Sequence, residues 1–237
     1  MSEEEEKKSQ GNPILGALDS VLTGARKFLA EQKMLKAADE FAYLALRKGV
    51  DALKNTFVPM KIEGKDLVPD FQPAILCSIV EQPLELALAA SLTPRKVHFM
   101  VPAKFFETPG LQPMLEAIGA YRSTKNKEDM EPVQKTVQFL TKEKDLVAMV
   151  PIDTGERERL DKTFAGILKF AAGVPCQLIP YASTSMKNFK LGGTIKIKVG
   201  EPIEVAGNIK RDARYKLAAE IVDKIMAMKQ EIDAPEE

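Results

Sequence analysis

Residues 164–182, FAGILKFAAGVPCQLIPYA, change period at their midpoint. As far as Gly173 the apolar residues Phe164, Ile167, Leu168 and Ala171 recur three or four positions apart, which places them on one face of a helix. After the Gly-x-Pro step at 173–175 the chain becomes a short apolar run, PCQLIPYAS, that reads as a buried strand. A helix that delivers the chain straight into such a strand is half of a βαβ unit. This stretch therefore predicts a parallel sheet covered by helices.

The alternation extends in both directions. Strand-type runs stand at 57–64 (FVPMKIEG), 73–79 (PAILCSI), 96–101 (KVHFMV), 145–152 (DLVAMVPI) and 193–205 (GTIKIKVGEPIEV). Helical windows fall at about 83–92, 109–119, 128–143 and 210–230, beside the one at 160–173. The expected fold class is α/β, with a single mixed, largely parallel sheet and helices on both faces. Ahead of it, Asn12 and Pro13 suit the cap and first position of a helix whose apolar face runs from Ile14 to Leu29. A second periodic stretch, Leu35 to Leu53, completes a helical pair. The opening MSEEEEKKSQG offers almost no apolar area to bury. The expected organisation is a disordered acidic leader at 1–11, an amphipathic helical element at 12–55 and an α/β domain at 56–237.

The 34 Lys and Arg balance the 34 Asp and Glu, so no net field favours nucleic acid as a partner. No run approaches the roughly 18 consecutive apolar residues of a membrane-spanning helix. The acidic start is also the opposite of a signal peptide. A cytoplasmic protein is expected, at most peripheral on the inner face of a membrane. Cys77 and Cys176 lie in apolar runs without a C-x-x-C or His-rich neighbour, and read as buried thiols. No metal or cofactor is expected.

Three phrases carry a family resemblance. FAGILKFAAGVPCQLIPYA (164–182) is similar to a segment of Phe, Gly, an Ala-rich helix, Gly-x-Pro and a strand found in the glycerol-phosphate and lysophospholipid acyltransferase (PlsC-like) superfamily. VHFMVPAKFFETPGLQPMLEAIGAYR (97–122) resembles that superfamily's series ending at a conserved-type Arg, and IKIKVGEPIEV (195–205) its closing strand and Gly-x-Pro-Ile turn. The resemblance spans about 57–230 in consistent order. It implies an acyltransferase-like fold and a lysophospholipid or acyl-thioester ligand.

The chemistry that the resemblance implies is damaged. The family's Asn-His, four residues, Asp falls on ILCSIVEQPLELAL (75–88), with Val80 at the histidine and Glu85 at the aspartate. That histidine is a general base for the acceptor hydroxyl, and the carboxylate orients it; valine accepts no proton. The family's Pro-Glu-Gly-Thr-Arg phosphate motif falls on PIDTG at 151–155, leaving Arg157 or Arg159 of ERERL as substitutes. Arg157 and Arg159 stand among glutamates, as in a solvated turn. The resemblance gives Arg122 as a phosphate ligand across a gap of about two residues, and Lys104 as the lysine after the third strand.

His98 is the sole imidazole. In KVHFMV it faces away from Val97 and Phe99, as a structural strand histidine would. Glu81 and Glu85, four apart, read as surface acids on the first turn of a helix. No P-loop, nucleophile elbow or dinucleotide turn replaces the missing motif. Three readings stay open. One is a degenerate acyltransferase-like protein that keeps a lipid, acyl or partner site; another is an active acyltransferase using Glu85, His98 or Lys104; the third is an interaction module. The face at 14–29, with Arg26 and Lys27 beside Phe28 and Leu29, would serve membrane contact, a protein partner or a homodimer.

Overall fold

The computed structural model describes residues 59–107, 112–124, 126, 128–152, 155–187 and 193–234. The leader at 1–11 and the helical pair at 12–55, with the candidate membrane face at 14–29, lie outside the described residues. Seven strands form one mixed, mostly parallel sheet in an α/β fold. They are β1 (Met60–Glu63), β2 (Ala74–Cys77), β3 (Val97–Val101), β4 (Ala120–Arg122), β5 (Leu146–Met149), β6 (Gln177–Ser183) and β7 (Ile195–Val199). Their order is β1-β7-β6-β2-β5-β3-β4. The only antiparallel pair in that order is β6 with β7, so the five strands from β6 to β4 point their carboxyl ends to one edge.

Burial follows from position in the sheet. β2 (AILC) and β5 (LVAM) are central and covered on both faces, so every residue is buried and apolar. β7 (IKIKV), next to the edge, alternates buried isoleucine and valine with half-buried Lys196 and Lys198. Gly64, just after β1, has φ 70°, and a Cβ there would stand 2.7 Å from the Val199 carbonyl oxygen, so only glycine fits the turn.

The helices are α1 (Ala103–Phe106), α2 (Gln112–Ala117), α3 (Glu131–Gln138), α4 (Arg157–Gly173) and α5 (Arg211–Asp233), with a 3₁₀ helix at Pro83–Ser91. The 3₁₀ helix and α2 cover one face, where Leu86, Leu88, Leu92 and Leu115 meet Leu76, Phe99 and Tyr181. On the other face α4 and α5 pack Phe164, Leu168, Ile221 and Ile225 against Ile75, Val147 and Leu178. Connections that step one way along the sheet thus lie on one face and those that step back lie on the other, as right-handed crossovers require.

Several boundaries differ from the sequence reading. β4, three residues long, carries too little pattern to be found as a strand run. The window at 128–143 divides into α3 and a π turn at Phe139–Glu143. The run 193–205 ends as a strand at Val199, and Ile203 returns in a lone bridge to Leu178. Arg157 and Arg159 are in the first turn of α4, not in a solvated turn, because α4 begins at Arg157.

Candidate functional site at the carboxyl edge of the sheet

β2 leaves the sheet toward the first face and its neighbour β5 toward the second. Adjacent strands that diverge in this way open the crevice where α/β sheets place their ligands. Val80 lies at this point, three residues beyond β2. It is fully buried, its amide N–H donates to the Pro151 carbonyl oxygen at 3.1 Å, and it forms a lone parallel bridge with Ile152. The residue that the resemblance puts at the base is therefore an apolar side chain, packed with Leu76, Leu86 and Tyr181.

Glu85 is not a surface acid; it is fully buried on the 3₁₀ helix that follows. Its Oε2 accepts the Glu81 amide N–H at 2.9 Å and its Oε1 accepts the Met186 amide N–H at 2.7 Å. The carboxylate thus ties the 81–85 turn to the loop after β6, 101 residues away. Burial raises its pKa, against the lowering effect of the two backbone N–H groups and Lys229. Glu81 is held on the other side: its carboxylate accepts from Lys229 Nζ at 3.2 Å. Burial works against the charged form, yet the Lys229 hydrogen bond and charge bring its pKa below the ordinary carboxylate value.

Lys229, on α5, is itself buried and reaches the Ile79 carbonyl oxygen at 3.4 Å. Two hydroxyls close the set. Ser78 Oγ, one residue beyond β2, and Tyr181 Oη, on the adjacent strand β6, are buried with no hydrogen-bond partner among the described residues. Tyr181 is close enough for Glu85 to act on its titration, which burial drives strongly upward.

The other sequence candidates lie apart from this cluster or are engaged. Arg122 ends β4, three strands from β2, with its guanidinium held by Asp129 and by Glu131 at 2.7 Å. Arg157 bridges α4 to α5 through Asp161 at 2.8 Å, Asp223 at 2.6 Å and the Ala219 carbonyl oxygen at 3.0 Å. Both guanidinium pKa values are raised by these carboxylates, Asp129 first for Arg122 and Asp223 first for Arg157. Lys104 is exposed on α1, over the Phe105 ring at 5.4 Å. Cys77 is buried and Cys176 half-buried; both are free, and burial pushes the Cys176 thiol up to about 11.

His98 sits at the opposite edge. It is in register with Val147, which pairs with Ile75, so Val80 is five residues further along the strands. That is about 16 Å at roughly 3.3 Å per residue, before the lateral offset of two strands is added. The sequence reading missed Lys229, Tyr181 and the Met186 amide as neighbours of Glu85. No local motif could have found them, because they come from β6 with its following loop and from α5, about 100 and 140 residues further along the chain.

No protein-family model matches the chain, and no curated protein matches it significantly. Among solved structures it resembles the crystal structure of the 1-acyl-sn-glycerophosphate (LPA) acyltransferase PlsC from Thermotoga maritima. The TM-score is 0.53 and the identity 15%, over 92% of this chain and 90% of that one. The likeness is one of fold, and the fold is acyltransferase-like.

Proposed function

We propose that this chain is an acyltransferase-fold protein that has given up standard acyl transfer and keeps a lipid- or acyl-binding role. The observation that carries this reading is the switch point between β2 and β5: it holds the buried valine Val80, bridged to Ile152. The carboxylate that should orient a base has no imidazole to orient and instead anchors two backbone N–H groups, one on each oxygen. General-base catalysis supplies about 10²- to 10⁴-fold in rate, and Val80 supplies none of it. The sole imidazole is too distant to substitute without refolding the sheet. The engaged arginines, Arg122 and Arg157, also argue against a phosphate clamp.

A retained ligand is favoured by the two orphan hydroxyls. A buried hydroxyl without a partner costs about 1–3 kcal/mol. An ester or thioester carbonyl reaching the sheet face beyond the end of β2 would satisfy Ser78 and Tyr181 within otherwise apolar walls.

The test is extraction and mass spectrometry of lipid from the purified protein, together with thiol release from acyl-CoA or acyl carrier protein in the presence of lysophosphatidic acid. The expected result is co-purifying lipid or acyl ligand, reduced in Tyr181→Phe, and no thiol release above background. Turnover that disappears in Glu85→Gln would sink the reading and give the fold a carboxylate-based mechanism.

A further inference from the structure

At the amino edge of the sheet, away from the carboxyl-edge cluster, three metal-ligating side chains from two segments converge. His98, near the start of β3, places Nε2 3.0 Å from Asp145 Oδ2 and 3.8 Å from Glu143 Oε2. The donor atoms of all three lie within 4.8 Å of one another. Donors held about 2.0–2.2 Å from one ion stand roughly 3.0–3.6 Å apart, so only the Glu143 carboxylate has to swing inward. We propose that His98, Glu143 and Asp145 bind a divalent transition metal of the zinc class.

The local fold supports the arrangement. α3 passes into the π turn Phe139–Glu143 and stops at Lys144, which has φ 58°. The Asp145 amide N–H donates back to the Phe139 carbonyl oxygen at 2.9 Å. This closure reverses the chain, so that Glu143 and Asp145 both meet His98. The imidazole is 4% exposed and stacks on Phe139 with ring centroids 3.6 Å apart and planes 6° from parallel. Gln138 Nε2 donates to Glu143 Oε1 at 2.9 Å, leaving Oε2 as the oxygen nearer the imidazole. A rotationally fixed imidazole beside a carboxylate oriented from behind is how metal ligands are commonly supported.

One nitrogen and two carboxylates select the metal class. Calcium and magnesium prefer oxygen ligands alone, and a thiolate-seeking ion finds no sulfur here. Three protein donors leave at least one position for water. The site is about a strand length from Val80, so the metal would fasten the amino ends of β3 and β5 to the end of α3 rather than act on a carboxyl-edge ligand.

The full chain, stripped with a chelator, would be titrated with Zn²⁺ against a chromophoric competitor and with Co²⁺ by visible absorption. One equivalent of Zn²⁺ is expected, with a Co²⁺ d–d spectrum displaced by Zn²⁺ and no response to Mg²⁺. Glu143→Gln, at a residue 35% exposed, should keep the native circular dichroism while weakening Zn²⁺ at least about tenfold. Asp145→Asn should do the same. Absence of stoichiometric uptake would leave a plain histidine–carboxylate hydrogen bond and overturn the proposal. So would uptake unchanged in both variants, which would place the ion elsewhere.

Discussion

Val80 and Glu85 share one local design: an apolar plug beside a carboxylate that caps backbone N–H groups. Placing an imidazole at position 80 should therefore not recreate a catalytic pair. Val80→His buries a polar ring among Leu76, Leu86 and Tyr181, and Glu85 would have to accept from it in the fixed orientation set by the Glu81 and Met186 N–H groups. Urea denaturation should show a loss of about 1–3 kcal/mol, with thiol release still at background. Recovery of acyl transfer in this single variant would show that the anchored carboxylate can still orient an imidazole. Glu85 also imposes a pH signature. Its pKa is raised in the folded state, so between the ordinary value of about 4.3 and the raised value the folded chain binds more protons than the unfolded one. Its contribution is complete below the unfolded value and is lost as pH rises through the folded one. The stability of the wild type minus that of Glu85→Gln should therefore fall with rising pH across the mildly acidic range. Paired urea titrations at a series of pH values would measure it, and a rising difference would refute the assignment.

Among the elements, α5 is the one that reaches the carboxyl edge from the far face, through Lys229. The Lys229 side chain is 10% exposed and Glu81 34%, so the two ends of this pair are unequal. Removing the carboxylate strands a buried ammonium; removing the ammonium leaves a carboxylate that water can still reach. Glu81→Gln should thus cost more than Lys229→Met, the former about 1–3 kcal/mol and the latter under about 1 kcal/mol in urea midpoints. The reverse order would mean that the Lys229 aliphatic stem, packed in the α5 interface, matters more than its charge. Elements were legible in the sequence wherever period and length were both sufficient. α4 shows its buried stripe Phe164, Ile167, Leu168 and Ala171, and β2 and β5 show short uniform apolar runs. β4 was hidden because three residues cannot display an alternation. Glu85 was misplaced on the surface because a helical count cannot reveal that a loop 101 residues later covers it.

For the whole molecule, the mixed sheet could be anticipated because every strand but β4 announces itself and alternating helices restrict the topology. The juxtapositions could not: the contacts joining the segment after β2 to α5, the 3₁₀ helix to the loop after β6, and β3 to the segment before β5 depend on strand order. They decide the ligand expected. Arg122 and Arg157, two of the arginines that resemblance offered as phosphate ligands, are engaged by carboxylates, while the chain's total charge is zero. A lipid held here should then be held by apolar contact and carbonyl hydrogen bonds rather than by its head group. Affinity for a long-chain monoacylglycerol and for the lysophosphatidic acid of the same chain should agree within about threefold, a difference under about 0.7 kcal/mol. Neither should weaken appreciably when salt is raised from about 0.1 M to about 1 M, although the screening length shortens from roughly 10 Å to 3 Å. Displacement of a fluorescent fatty acid would measure both series. A strong preference for the phosphate, lost in salt, would instead require Arg122 or Arg157 to leave its carboxylates for the ligand, and charge reversal at Asp129 or Asp223 would then change the affinity.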